Sequence, residues 1–313
     1  MQVYFAPLEG ITDATFRRLH HKHFAGVDRY YMPFISPTIH RCLTHREARE
    51  LPPANSESFT AIPQLLGKSV EDMLWAVDTC RELGYEEVNI NLGCPSGSVV
   101  SKGKGCGMLA YPDVLDRFLD GFFEKATLPI SVKTRIGLTD PEEFTRILEI
   151  YNQYSIRELT IHPRVRKAFY SGSCDMEMFR YAVENSRAPL CYNGNLNSLA
   201  DIRAIEDQFP QVEAVMIGRG LVGNPGMLCG GTSRQTLQAF LEEMAETYSV
   251  IFGSRRNAMF RMKENWHYLI GLFDGSEKLW KQLRKTTDYD HFCQISSEMI
   301  NTLPIRENLN VTW

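Results

Sequence analysis

In "NINLGCPSG", residues 89–97, an apolar run ends on Gly93, Cys94 and Pro95, so a thiol stands on a corner where regular structure stops. An unperturbed thiol, with a pKa of about 8.5, is mostly protonated at neutral pH yet able to release a proton to a carbanion-like centre. Cys94 is therefore a candidate for proton chemistry, and the glycine-rich "SGSVVSKGKG" that follows looks mobile. Lys133 lies in the apolar run "ISVKT", where an inward-facing lysine needs a partner. A bound anion supplies one, and a flavin fits because its reduced ring carries negative charge near N1, which a fixed ammonium stabilises. His162, at the end of "LTIH", is placed to contact the same cofactor. "NGN" and "IGRG" combine glycines that let backbone N–H groups approach an anion with the charge of Arg219, a pattern suited to phosphate.

Bringing these groups together requires elements that all end at one place. Short β-rich apolar runs recur at residues 3–8, 29–34, 60–66, 87–92, 130–134, 158–162, 190–193 and 214–218. Helical spacing follows most of them, at 13–21, 69–83, 112–125, 141–154, 175–184 and 198–207, with Asp13 and Ser69 as N-caps and Pro112 and Pro141 at first helical positions. The crossover at 36–58 is read as mostly irregular. Successive strand–helix units without a reversal or a GxGxxG opening turn predict an α/β fold, a (β/α)8 TIM barrel rather than an open sheet. In such a barrel the strand C-terminal ends share one face, which here would carry Ala6, Pro7, Leu8, Glu9, Gln64, Asn89, Asn91, Cys94, Lys133, Arg135, His162, Asn193, Gly194, Gly218 and Arg219. Beyond the glycine-rich 230–233 only helical spacing remains. The expected organisation is a barrel over 1–232 and a small C-terminal all-α helical domain over 233–313.

The 313 residues, 43% hydrophobic and 23% charged, suit a soluble globular protein with a well-filled core. No stretch approaches the ~18 apolar residues of a membrane span, and the first residues lack a basic region followed by an apolar one, so a cytoplasmic protein is expected. Eight cysteines without CxxC pairs or Cys/His groupings argue against zinc, iron–sulfur clusters and a disulfide framework, and most are expected to be small buried hydrophobes. A net charge of −4 gives no global sign of a nucleic-acid partner. Any such surface is local, at "RRLHHKH", at Lys102 with Lys104, at "RVRK" and at "SRRNAMFRMK".

Taken in order, "APLEGITDATFRRL", "PQLLG", "VNINLGCPSGSVVSKGKGCGML", "SVKTRIG", "LTIHPR", "CYNGN" and "AVMIGRG" resemble the tRNA-dihydrouridine synthases, and "FRMKENWHYL" resembles the lysine-bearing helix of that family's C-terminal domain. The resemblance implies an FMN enzyme, reduced by NADPH or NADH, that reduces the C5–C6 double bond of specific uridines in tRNA. By the same resemblance Pro7, Leu8, Glu9, Gln64, Lys133, His162, Asn193, Gly194, Asn195, Gly218 and Arg219 would bind FMN, Cys94 would be the catalytic acid, and Asn91 and Arg135 would hold the uracil. Hydride would pass from FMN N5 to C6 and the proton from Cys94 to C5. Uracil in folded RNA must be extruded to be read, and nearby cations would hold phosphates. Lys102, Lys104, Arg164, Arg166, Arg261 and Lys263 are the candidates, on a chain expected to be monomeric and to need neither metal nor membrane. The chain departs from the family pattern at "HPR", "NGN", "YMPF" and Cys106. Two competing readings are an FMN reductase of a free pyrimidine or other small conjugated carbonyl compound, and an RNA-binding scaffold without turnover.

Overall fold

The computed structural model describes residues 1–310, and packing divides the chain into two compact units. The first comprises Met1–Pro7, Asp28–Asn195 and Arg203–Met216; the second comprises Leu8–Val27, Leu196–Ile202 and the chain from Ile217 onward.

The first unit is built on parallel strands β1 (Gln2–Phe5), β2 (Arg29–Tyr31), β3 (Ala61–Ile62), β4 (Gln64–Leu65), β5 (Val88–Leu92), β6 (Ile130–Arg135), β7 (Leu159–His162), β8 (Leu190–Tyr192) and β9 (Ala214–Ile217). Their order is β3-β2-β1-β9-β8-β7-β6-β5-β4. The run at 60–66, expected as one strand, is divided at Pro63, which has no N–H for a ladder. Its first half pairs with β2 and its second with β5, so the sheet returns to the segment it started from and closes as a TIM-like barrel. β5 shows why such strands read as apolar runs: Val88, Ile90 and Leu92 are fully buried, and so is Asn89 between them.

The helices in chain order are α1 (Ala14–His23), α2 (His45–Glu50), α3 (Val70–Glu82), α4 (Gly97–Val100), α5 (Pro112–Phe123), α6 (Glu143–Tyr151), α7 (Met176–Asn185), α8 (Leu199–Gln208), α9 (Arg219–Gly223), α10 (Arg234–Phe252), α11 (Arg255–Leu269), α12 (Glu277–Lys285) and α13 (Tyr289–Thr302). Asp13 and Ser69 cap α1 and α3 by accepting from the N–H three residues on, as expected of those residue types. Pro112 opens α5, whereas Pro141 lies just outside α6, which starts at Glu143. The crossover at 36–58 is mostly irregular, as expected; its exceptions are α2, started by a reciprocal capping box between Thr44 and Glu47, and the 3-10 turn Ala54–Ser56.

In the second unit α10 and α11 form a hairpin turned at Gly253, whose φ of +58° is the left-handed conformation that glycine adopts without strain. Phe240 of α10 meets Phe16 and Phe24 edge-on at centroid distances of 5.7 and 5.3 Å, and His20 is buried beside the same rings. Burial pushes His20 down to about 3, so it is a neutral packing group. Met259, Met262 and Trp266 of α11 and Phe292, Ile295 and Met299 of α13 complete this core.

The cysteine expectation needs correction: Cys80, Cys106 and Cys191 are buried, Cys94, Cys174 and Cys293 are intermediate, and Cys42 and Cys229 are exposed. Scattered small residues carry no periodicity that fixes which face they occupy.

Candidate active site

The polar residues of β4, β5 and β6 lie on alternate positions, so Asn89 and Asn91 share one face, as do Lys133 and Arg135. Register sets Asn91 beside Lys133, and Arg135 beside His162. A line of amides crosses these strands: Asn91 Nδ2 donates to Gln64 Oε1 at 2.8 Å, Gln64 Nε2 to Asn89 Oδ1 at 2.8 Å, and Asn89 Nδ2 to Ser131 Oγ at 3.0 Å. Each amide orientation is fixed by the next.

Lys133 Nζ donates to Asn193 Oδ1 at 2.7 Å, and Asn193 Nδ2 donates to the Met216 carbonyl at 2.7 Å. Loss of hydration, and then the nearby Arg135 charge, push Lys133 down to about 8. An anion placed here would raise that value again. The turn after β8 is tight: a Cβ on Gly194 would stand 2.4 Å from Cys174 Sγ, and Asn195 has a left-handed φ of +44°.

The Cys94 corner follows β5. Asn91 Oδ1 accepts from the N–H groups of Gly93 at 3.1 Å and Cys94 at 2.9 Å, while Arg135 Nε donates to the Gly93 carbonyl at 3.1 Å. A Cβ on Gly93 would lie 3.2 Å from the carbonyl carbon of Thr134, so glycine is what lets the corner sit against β6. Asn91 and Arg135, expected on a uracil, thus also shape the loop that carries the thiol. The segment expected to be mobile is folded: α4 packs against the 3-10 turn Gly105–Ala110, and the Cys106 N–H donates to the Cys94 carbonyl at 3.2 Å. Of its glycines, a Cβ on Gly105 would lie 3.0 Å from Val99 Cγ1 and 3.2 Å from Cys94 Cβ while Gly97 and Gly103 face open space; just beyond it, a Cβ on Gly107 would be 2.6 Å from the Val100 carbonyl oxygen.

At the end of β7, Arg164 is buried and donates from Nε to the Ser171 carbonyl, from Nη2 to the Gly172 carbonyl, and from Nη1 to His162 Nε2 at 2.9 Å. Because arginine is an obligate donor, His162 Nε2 is the acceptor, and the neutral ring carries its proton on Nδ1. Arg166 Nε donates to the Pro95 carbonyl at 3.2 Å, and Lys104 Nζ to Ser36 Oγ at 3.0 Å. Lys102 is exposed. Sequence reasoning passed over Tyr170, whose ring lies 6.1 Å from that of His162 and 5.3 Å beneath the Arg135 guanidinium. The available signal was an aromatic pair just before the glycine of "FYSG", in the loop that follows a site strand.

Pro7 belongs to the first unit, and Leu8, Glu9, Gly218, Arg219, Arg261 and Lys263 to the second. Within the second unit the Leu8 N–H donates to Thr12 Oγ1 at 2.8 Å, and Glu9 is exposed. Gly218 precedes α9, which begins at Arg219. Arg261 donates to the Gly10 carbonyl and to Glu264, with Asp13 3.9 Å away. Lys263 donates to the Arg284 carbonyl at 3.2 Å and to that of Thr286, closing the C-terminus of α12. These two cations, expected on RNA, are engaged inside their own unit. Among the described residues there is no cluster of three or more His, Cys, Asp or Glu able to hold a metal ion.

Comparison with known proteins gives a consistent result. The profile of the family described as Dihydrouridine synthase (Dus) matches residues 4–302. The tRNA-dihydrouridine synthase B of Pasteurella multocida is 27% identical over 276 residues, covering 88% of this chain and 80% of that protein. The protein of the same name from Vibrio cholerae is 27% identical over 238 residues, 76% of this chain and 71% of its own, and that from Shewanella oneidensis is 25% identical over 276 residues, 88% and 82%. Among solved structures, a mutant morphinone reductase in complex with tetrahydroNAD matches with a TM-score of 0.50 at 12% identity, covering 72% of this chain and 85% of that one. That likeness concerns the fold alone.

Proposed function

The chain belongs to the dihydrouridine synthase family, and from that premise we propose that it reduces specific uridines of tRNA to 5,6-dihydrouridine with a bound FMN. The observation that carries this reading is the adjacency of two strand ends, where β5 leads into the thiol-bearing corner and β6, paired with it, holds the Lys133 ammonium. The residues fit a flavin: a lysine poor in water and bonded to an amide oxygen suits a negatively charged ring. Gln64, Lys133, His162, Asn193, Gly194 and Asn195 would hold it. When bound, FMN reduced by NADPH or NADH supplies the hydride that uracil C6 receives.

The protein's own part is acid catalysis and orientation. Electron density that builds at C5 and O4 takes a proton from Cys94, whose thiol is regenerated from water. Asn91 and Arg135 are assigned to the pyrimidine edge. A stacked uridine must leave its helix to be read this way, and phosphate contacts supply salt-dependent affinity. With Arg164, Arg166, Arg261 and Lys263 committed to internal partners, those contacts are assigned to exposed cations: Lys102, and on α12 Lys278, Lys281, Arg284 and Lys285. The enzyme is proposed to act in the cytoplasm. No helix among the described residues is long and apolar enough to cross a membrane.

The test is to incubate the purified yellow protein and NADPH with tRNA from cells lacking this gene, then to map dihydrouridine by mass spectrometry. New dihydrouridine at defined positions is expected. Reduction of free uracil without any reduction of RNA overturns the proposal.

A further inference from the structure

Every backbone polar group of the thiol corner that can be followed has a partner. The N–H groups of Gly93 and Cys94 go to Asn91 Oδ1, the Gly93 carbonyl accepts from Arg135 Nε, and the Cys94 carbonyl accepts from the Cys106 N–H. Pro95 has no N–H, and its carbonyl accepts from Arg166 Nε at 3.2 Å across 71 residues of sequence.

Asn91 lies on the corner's own strand and Arg135 on the next. Arg166 alone of these side chains comes from the loop after β7, and that loop is fixed independently of the corner. The Arg166 N–H donates to the Gly137 carbonyl at 2.8 Å, the Lys167 N–H to the Leu138 carbonyl at 2.9 Å, and the Phe169 N–H back to the Arg166 carbonyl at 3.0 Å. Phe169 takes a φ of +48°, costly for an aromatic residue, and its ring lies 5.1 Å beneath the Arg166 guanidinium. The residue before, Val165, accepts from Arg135 Nη1 at 3.2 Å, so two arginines lace this loop to the corner. A planar guanidinium can stack on a ring while Nε donates in its plane; an ammonium cannot do both.

We propose that Arg166 is a positioning residue, which clamps Pro95 so that the Cys94 thiol presents its proton in one direction. The inference rests on Cys94 as the proton donor. It removes Arg166 from the phosphate-binding cations, because its guanidinium is engaged by a carbonyl and a ring. Arg166 then governs the rate of protonation and not RNA affinity.

The experiment compares full-length flavin-loaded protein with Arg166→Met, which keeps an apolar stem over Phe169, and Arg166→Lys, which keeps the charge. Three quantities are measured: single-turnover reduction of saturating tRNA by the pre-reduced enzyme, tRNA affinity across a salt series, and iodoacetamide alkylation of Cys94 from pH 6 to 9, quantified on its peptide without RNA. For Arg166→Met, a rate loss of about tenfold or more is expected with tRNA affinity within about twofold, because small misplacements of a reacting group carry such costs. The pH profile of Cys94 alkylation is expected to change, and Arg166→Lys to recover only a minor part of the rate. A large loss of tRNA affinity with a shallower salt dependence and an unchanged alkylation profile overturns the proposal in favour of a phosphate contact. Full recovery by lysine, or three unchanged readouts, overturns it as well. Alkylation requires neither RNA nor turnover, so it reads the clamp even if the chain proves to reduce no RNA.

Discussion

Cys94→Ala removes the thiol while leaving in place the backbone hydrogen bonds that hold that residue, its N–H to Asn91 Oδ1 and its carbonyl from the Cys106 N–H. The variant is expected to fold and to keep its flavin while dihydrouridine formation falls by about 10²–10⁴, the usual range for a positioned acid. Retention of wild-type single-turnover rates would end the proton-donor assignment. Lys133 makes a prediction in pH. Its folded-state value of about 8 lies below the ~10.4 of an unfolded lysine, so between those limits the unfolded chain binds more protons and stability rises with pH. Charge at the site runs the other way: the ammonium is lost as pH rises through about 8. Flavin titrations from pH 6.5 to 9.5 should therefore show affinity falling across that interval, and Lys133→Met should bind weakly without the fall. A profile unchanged by the substitution would place the charge elsewhere. The types of these residues were legible in sequence because a lysine and a thiol at strand ends are chemically conspicuous. The partners of Arg164 and Arg166 were not, since both direct donors to backbone carbonyls, 7 residues on for Arg164 and 71 residues back for Arg166, that leave no mark in side-chain composition.

Glycine shows how an element can be misjudged from its composition. The glycines of 96–105 suggested mobility, yet the segment is folded, and just beyond it a glycine is needed for close packing: on Gly107 a Cβ would stand 2.6 Å from the Val100 oxygen and 2.9 Å from its Cα, backbone atoms that cannot swing aside. Gly107→Ala should therefore cost about 1–3 kcal/mol by forcing α4 from its 3-10 partner, measured as a lower urea midpoint. Gly97→Ala has nothing within 4 Å of the new atom and should be neutral or slightly stabilising. Equal effects at the two positions would contradict this account. All eight strand runs were recoverable from apolar clustering because parallel strands buried on both faces have no other composition open to them. The division at Pro63 was visible in principle, as a proline cannot serve a central ladder, but which neighbour each half chooses depends on closure of the whole sheet.

At the scale of the molecule, α1 packs with α10, and the compact units follow this packing rather than one position along the chain. That arrangement changes what a basic residue in the helical unit is for. Sequence spacing drew attention to Arg261 and Lys263, but Arg261 joins α11 to the turn at Gly10, and Lys263 closes α12. Exposed charge is instead concentrated on α12, where Lys278, Lys281, Arg284 and Lys285 fall within nine residues. The two sets should then fail in different ways. Lys278→Ala with Lys281→Ala is expected to weaken tRNA binding and to reduce the slope of log affinity against log salt by about one for each phosphate no longer neutralised, with Tm and flavin content unchanged. Arg261→Ala is expected to lower stability by about 1–2 kcal/mol, as removal of charged hydrogen bonds at a half-buried position does, while the salt slope stays at its original value. If instead Arg261→Ala flattens the salt dependence and the paired lysine variant leaves it untouched, the phosphates are read by α11, and α12 serves the helical core alone.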